Sequence, residues 1–488
     1  MPSSPQTFRQ YIMKEADNRR YLKIAAAGLI LQLVIFKILY PFGDYFSDSY
    51  SYLYAAITKM KVNLWPIGYT YFLRLFHHIS HSDTALVAFQ YLLAQCSALY
   101  LFFTAGYLFQ MSEQVRKVVF YVLVFNPLIL YICNYISSDG LFLALSLIWF
   151  TQLLWLIYRP TLWLILAHTV IIAIAFTVRY NAMYYPLITA LALVLSSQKI
   201  YYKILGIILP LVLIYSFVNF TSEESRKITG TRQFSVFGGW QMANNALYMF
   251  PHLKEFPEPP ADCKAFHQEV VYFFTRVAAH TMPVSPIDGA VYLKHPNAPL
   301  KHYMAKQYGT KTDSTGGIQS WGSVSPIYAE YGSYMIRQHP FYFARYFLLP
   351  NTFNYFIPPL EKLTEYNLGT DEAAPVAIFW FNYSSKKLSA VSLNGQKGLL
   401  FFFPILFGLL NLLFIWIIIR WLISKAYKEA NISTKKALWL VLATLLVNAG
   451  FSILASPIVF RYQVFAMIIC LVFIGVLLDK LKQELQLT

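Results

Sequence analysis

Residues 22–50 read LKIAAAGLILQLVIFKILYPFGDYFSDSY. The run 22–40 is apolar enough and long enough to cross a bilayer, whose hydrocarbon core takes roughly 17–25 such residues as a helix. It ends at Pro41. Asp44 and Asp48 follow at once, at a depth where a carboxylate is costly unless it is solvated or paired. A polar segment leads into the run, and no small-residue cleavage site follows it, so it is expected to stay as an anchor.

Nine further apolar runs follow the same rule: 84–109, 118–134, 140–158, 161–178, 182–197, 204–220, 398–420, 437–456 and 458–478. The run 182–197 is the shortest. Composition agrees, because the 488 residues are 57% apolar and only 13% charged, against about 25% charged in a soluble domain. A soluble enzyme, a disordered chain and a collagen-like fibre are thereby excluded. The expected fold is an all-α polytopic membrane protein with about ten transmembrane helices. Residues 1–220 form an N-terminal membrane region of seven spans with a first outward loop at 41–83, 221–397 a large extracytoplasmic loop region, and 398–488 a C-terminal membrane region of three spans.

The formal charge of +16 would suggest nucleic acid if the excess lay on a soluble face. Its distribution points elsewhere. With the N-terminus in the cytoplasm, the inward segments hold Arg19, Arg20, Lys23, Arg116, Lys117, Arg159, Lys199, Lys203, Arg420, Lys435 and Lys436, among others. The short outward loops hold only Lys59, Lys61, Arg74, Arg179 and Arg461. This is the positive-inside bias, and it accounts for the charge without nucleic acid. Cys96, Cys133 and Cys470 fall inside apolar runs and Cys263 stands alone outside them, so no internal disulfide is expected.

Both outward segments are too polar to be read as spans. In the first, Ser47-Asp48-Ser49 looks like a helix start ahead of Tyr50–Met60, and Pro66 opens a second amphipathic run through Leu75. Both are expected along the membrane surface. The stretch 221–397 reads as mostly short helices and loops, with Gly/Ser/Thr-rich 309–323 as a candidate mobile lid. No internal repeat is visible, which weighs against transporters built from duplicated halves.

From residue 24 to residue 222 the acids are Asp44, Asp48, Asp83, Glu113 and Asp139. Asp48 can cap the helix it opens, with Asp44 in a turn, or the pair can supply a general base, with or without a divalent cation. Asp139, in Asn-Tyr-Ile-Ser-Ser-Asp-Gly, is likewise a cap or a site residue. Arg179 and Arg461 each break the charge bias in a very short outward turn, where a buried guanidinium needs an anion. Either the few outward aspartates supply it, or a bound phosphate does, which the planar fork of Arg suits. Trp240, Gln241, Asn244 and Asn245 could stack on and hydrogen-bond a sugar or could simply pack. Glu330 and His339 are further loop candidates. His77, His78 and His81 read as solvated rather than metal-binding, and His168 as a satisfied packing residue. There is no Walker loop, dinucleotide fingerprint or Gly-x-Ser-x-Gly.

The order of these features resembles a known family. Gly43-Asp44 to Ser47-Asp48-Ser49-Tyr50, then Trp65-Pro66-Ile67-Gly68-Tyr69, Ser138-Asp139, Arg179-Tyr180-Asn181 and Arg461-Tyr462 are similar to the polyprenyl-phosphate-dependent GT-C glycosyltransferases. The dolichyl-phosphate-mannose-protein mannosyltransferase-like and aminoarabinose transferase-like enzymes are the nearest in pattern. The likeness covers 1–220 and 398–488. It implies transfer of a sugar, with inversion, from a polyprenyl-phosphate carrier to a lipid, glycan or protein acceptor on the non-cytoplasmic face of a membrane, such as the bacterial inner membrane. Membrane lipids are the implied surroundings, with no nucleic acid. Asp48 would be the catalytic base, with Asp44 beside it. Asp139, Arg179, Tyr180, Arg461 and Tyr462 would bind substrate, joined by Trp240, Asn244 and Glu330 from the long loop. The family's first-loop acids usually stand closer together than Asp44 and Asp48 do. A polysaccharide ligase or polymerase using a lipid-linked sugar, and a transporter of an anionic solute, are the rival readings. The transporter predicts ionisable residues at mid-membrane, whereas these cluster at span ends.

Overall fold

The computed structural model describes residues 7–278, 281–309 and 315–487, and among these every named element is a helix. Eight helices are long and apolar enough to cross a membrane: Ala16–Leu39, Asp83–Phe109, Glu113–Asn134, Ser138–Tyr158, Ile200–Thr229, Gly395–Ile423, Ile432–Ala455 and Val464–Leu481. The chain is therefore a multi-pass membrane protein. The runs expected at 161–178 and 182–197 are shorter apolar helices, Leu162–Val178 and Tyr180–Leu195.

Ser138–Tyr158 is buried along most of its length and forms the centre of the membrane core, while Ala16–Leu39 and Ile200–Thr229 leave most of their apolar surface exposed. The exposed surface is what a lipid-facing helix presents. Ile200–Thr229 has 30 residues, about 45 Å of helix against roughly 30 Å of hydrocarbon. Its last turns, bearing Glu223, Glu224, Arg226 and Lys227, therefore rise clear of the membrane. The helix stops at Gly230, whose φ of 77° makes the left-handed end that glycine adopts without cost.

Between Ala16–Leu39 and Asp83–Phe109, helices form at Ser47–Ile57 and Gly68–His77. A side chain on Gly68 would meet the Thr177 carbonyl oxygen at 2.5 Å. Only glycine lets this helix start lie directly on the turn that leads to Arg179.

The long region between Ile200–Thr229 and Gly395–Ile423 builds its own aromatic core from Trp240, Tyr248, Phe250, Phe266, Tyr328, Tyr331 and Phe347. Within it, Gly238–Leu247 packs on the 21-residue helix Ile318–Gln338. Gly239 is the close-approach point: a Cβ there would stand 1.8 Å from the Ser325 carbonyl oxygen. Of the candidate lid at 309–323, residues 310–314 lie outside the described residues, and 318–323 are the opening turns of that long helix rather than a loop.

Candidate functional site

Two of the sequence-derived alternatives resolve at the helix starts. Asp48 lies in the first turn of Ser47–Ile57 without capping it; instead Ser49 Oγ accepts from the Phe46 N–H at 3.1 Å. At the other helix the cap is Ser137, whose Oγ accepts from the Asp139 N–H at 3.4 Å. Neither carboxylate is consumed by a helix end.

Asp139 is 4% exposed and is shared between two cations. Its Oδ1 pairs with Arg179 Nη1, and its Oδ2 accepts from Arg461 Nη1 at 2.9 Å and from Ser137 Oγ at 3.0 Å. The aspartate alternative for the two arginines is thus realised in part, since one carboxylate faces two guanidiniums. Tyr462 spaces them, its ring centroid 4.8 Å from each guanidinium carbon. Phe46 lies under Arg461 at 5.0 Å and under the Lys362 ammonium at 3.8 Å.

The remaining charges come from 294–362. Glu361 Oε2 faces Arg461 Nε at 3.7 Å, and its other oxygen pairs with Lys294. Lys362 Nζ is 3.7 Å from Asp48 Oδ1, which also accepts from Ser47 Oγ at 3.2 Å. Glu361 holds a left-handed φ of 53°, a strained conformation for a residue with a Cβ. Burial pushes its carboxyl upward, yet Arg461 and Lys294 outweigh that and hold it below the usual range. Burial pulls the Lys362 ammonium down to about 8 despite the opposing pull of Asp48.

These groups line two adjoining cavities of about 260 Å³ and about 450 Å³. Asp48, Trp65, Phe237, Gln241, Ser456, Arg461 and Tyr462 border both. Asp139, Arg179 and Tyr180 wall the first with Ser138 and Asn181, while Lys294, Lys301, Glu361 and Lys362 wall the second. The cations Arg179, Arg461, Lys294 and Lys362 outnumber the carboxylates Asp48, Asp139 and Glu361. Arg461 Nε and Trp65 Nε1 are buried donors without a hydrogen-bond acceptor. Walls of this kind suit an anion with several oxygens.

The other predicted site residues lie elsewhere. Asp44 is 1% exposed, accepts from the Asn367 N–H at 2.8 Å and forms a bridge with Tyr135, so it ties the first loop to neighbouring segments instead of facing a cavity. Burial raises its carboxyl to about 8, against the lowering pull of that N–H. Trp240 stacks on Trp321 with centroids 4.0 Å apart, and Asn244 bonds to Asn245; both are buried in the outer core and take no part in the cavity walls. Glu330 is exposed on the long outer helix and lines neither cavity. His168 bonds to Gln152 and Thr189 at 3.0 and 2.9 Å, and the His77 ring stacks on Trp380. Among the described residues no group of three or more His, Cys, Asp or Glu gathers as metal ligands.

Glu361, Lys362, Lys294 and Phe46 were missed by sequence reading. None stands in a motif, and 356–362, Phe-Ile-Pro-Pro-Leu-Glu-Lys, carries no periodicity. Comparison with protein-family models, with curated proteins and with solved structures gives no match for this chain.

Proposed function

We propose that the chain is an integral-membrane glycosyltransferase that moves a sugar, with inversion, from a polyprenyl-phosphate carrier to an acceptor on the non-cytoplasmic face. One observation carries the reading: Asp48, Asp139, Arg179 and Arg461, scattered from the first loop to the last span, line one cavity, and Lys294, Lys301 and Lys362 in the wall of the adjoining one bring the cations of the two above the carboxylates. The family resemblance supplied the same residues in the same order. In this reading ten spans put both termini in the cytoplasm and the cavity outside.

The proposed chemistry follows from the charges. Asp48 takes the proton of the acceptor hydroxyl as its oxygen attacks the anomeric carbon. The bond from that carbon to the phosphate oxygen breaks on the opposite face, and polyprenyl phosphate leaves. Negative charge grows on the departing oxygen, where Arg179 and Arg461 offer fixed donors. Asp139 is a positioning residue that holds both guanidiniums.

The test compares lipid-linked sugars and glycans by mass analysis in cells with wild type, Asp48→Asn or no protein. Loss of one sugar modification in both the Asn variant and the null, with the variant still folded, is expected, since general-base catalysis contributes about 10²–10⁴-fold. An unchanged modification in the Asn variant overturns the role of Asp48.

A further inference from the structure

The helices Pro340–Phe343 and Leu349–Phe356, joined by the π-helical turns Ala344–Leu348, belong to the long outward region, yet the last of them is inside out for a helix in water. Its buried face carries Asn351, Asn354 and Tyr355, while Leu349, Phe353, Phe356 and Ile357 are 54%, 65%, 37% and 58% exposed. Water would select the reverse arrangement.

The hydrogen bonds of the buried face fix its depth. Asn351 Nδ2 donates to Ile453 O at 2.8 Å, Tyr355 Oη to Leu445 O at 3.4 Å, and Asn411 Nδ2 to Phe356 O at 3.3 Å. At the helical rise of 1.5 Å per residue, Leu445 lies about 15 Å inside the outer end of its span at Ala455, and Asn411 about 12 Å inside Phe403. With roughly 30 Å of hydrocarbon in a bilayer, Tyr355 and Phe356 come close to its midplane. The exposed stripe also continues into the lipid-facing side of the neighbouring span, where Ile405, Leu406 and Leu409 are 51%, 54% and 57% exposed. Arg345 is exposed about 16 Å further up the helical rise, where its guanidinium reaches headgroup level. After Ile357 the chain climbs back through Pro358 and Pro359, whose carbonyl accepts from the Phe460 N–H at 2.9 Å, and arrives at Glu361.

We propose that 340–360 is a re-entrant segment: a half-helix sunk in the outer half of the bilayer, its exposed stripe covered by lipid acyl chains, and an extended return that delivers Glu361 and Lys362 to the cavity. Non-helical backbone at this depth is tolerated because it is covered by protein. The inference is independent of any catalytic reading. A second copy of the chain is the competing cover for the stripe, but the run of the stripe into the lipid-facing span favours acyl chains.

Nitroxide labels test it in the full chain reconstituted in bilayer nanodiscs. With Cys96→Ser to remove the exposed native thiol, labels are placed by Phe353→Cys and Leu349→Cys. Leu409→Cys serves as a lipid-exposed control and Lys264→Cys as a water-exposed one. The expected result is that labels at 353 and 349 relax with dissolved oxygen and are protected from a water-soluble nickel chelate, as at 409, with deeper character at 353 than at 349. Nickel access at either position, as at 264, overturns the proposal. Protection from both reagents with dipolar coupling between copies also overturns it, in favour of a self-interface. Either label alone decides the matter if the other variant does not fold.

Discussion

Asp139 Oδ2 and Arg461 Nη1 lie 2.9 Å apart across 322 residues of sequence, and the same carboxylate holds Arg179 through its other oxygen. One buried anion therefore fixes two buried cations, and removing it strands both. Asp139→Ala is expected to destabilise by about 3–5 kcal/mol, the range for uncompensated buried charge. Arg461→Ala should cost less, because Arg179 still satisfies Asp139. Thermal melts in detergent rank the variants; equal losses would show that the two arginines do not share the aspartate.

Arg461→Lys separates charge from shape. An ammonium keeps the positive charge but cannot reproduce a planar fork that donates to Asp139 and Tyr462 while aiming Nε toward Glu361. Turnover against donor concentration is expected to fall in a variant whose melting temperature stays near that of wild type. Full turnover with a lowered melting temperature would assign the residue to the salt bridge alone.

Asp44 gives a prediction of opposite character. Burial lifts its folded value to about 8 from the ordinary carboxyl value of 3.8. Between those values the unfolded chain releases a proton that the folded chain keeps, so stability contributed by the neutral acid is full below the lower value and is lost as pH rises toward the upper one. Asp44→Asn retains an oxygen to accept from the Asn367 N–H and has no proton to lose. It should melt with a flatter pH dependence and keep wild-type turnover. A lost activity would put Asp44 back in the reaction.

Gly68 tests how the first loop is docked. The Cβ of Gly68→Ala would stand 2.4 Å from Thr177 Oγ1 and 2.5 Å from the Thr177 carbonyl oxygen, backbone that cannot swing aside as a flexible side-chain tip could. Overpacking of this kind typically costs about 1–3 kcal/mol. Because Thr177 adjoins the turn that presents Arg179, the melt should fall and donor affinity with it; a wild-type melt would mean that the loop is free to shift.

Sequence pattern reached four of the cavity residues for a physical reason: an ionisable side chain at a span end is expensive, so Asp48, Asp139, Arg179 and Arg461 stood out against an apolar background. It could not reach Glu361 and Lys362, which follow two prolines in an aperiodic stretch where Glu361 is itself left-handed. Composition also left Trp240 and Asn244 open. Their polar–aromatic grouping is equally compatible with a sugar platform and with packing, and the close contact at Gly239, invisible in spacing, buries them against Ile318–Gln338. Likewise, Ser-Asp pairs mark a helix start without saying which residue caps it, and at Ser137-Ser138-Asp139 the cap is the serine.

Lys362 links the two cavities through Asp48 and supplies the last prediction. Burial lowers its ammonium from 10.5 to about 8, and the Asp48 carboxylate 3.7 Å away only partly restores it. Between those values the unfolded chain holds a proton that the folded chain lacks, so this group favours folding increasingly as pH rises from about 8 toward 10.5. Activity should run the other way. Losing the ammonium removes one cation from the cavity and leaves Asp48 without its partner, so turnover is expected to decline as pH passes about 8 while the protein stays folded. Lys362→Arg keeps a charge that does not titrate in this range, and its alkaline limb should move upward. Lys362→Met should be impaired at every pH. The check is turnover against pH for the three proteins, with melts recorded in the same buffers. An alkaline limb that stays in place in the Arg variant would assign that titration to another group and remove Lys362 from the reaction.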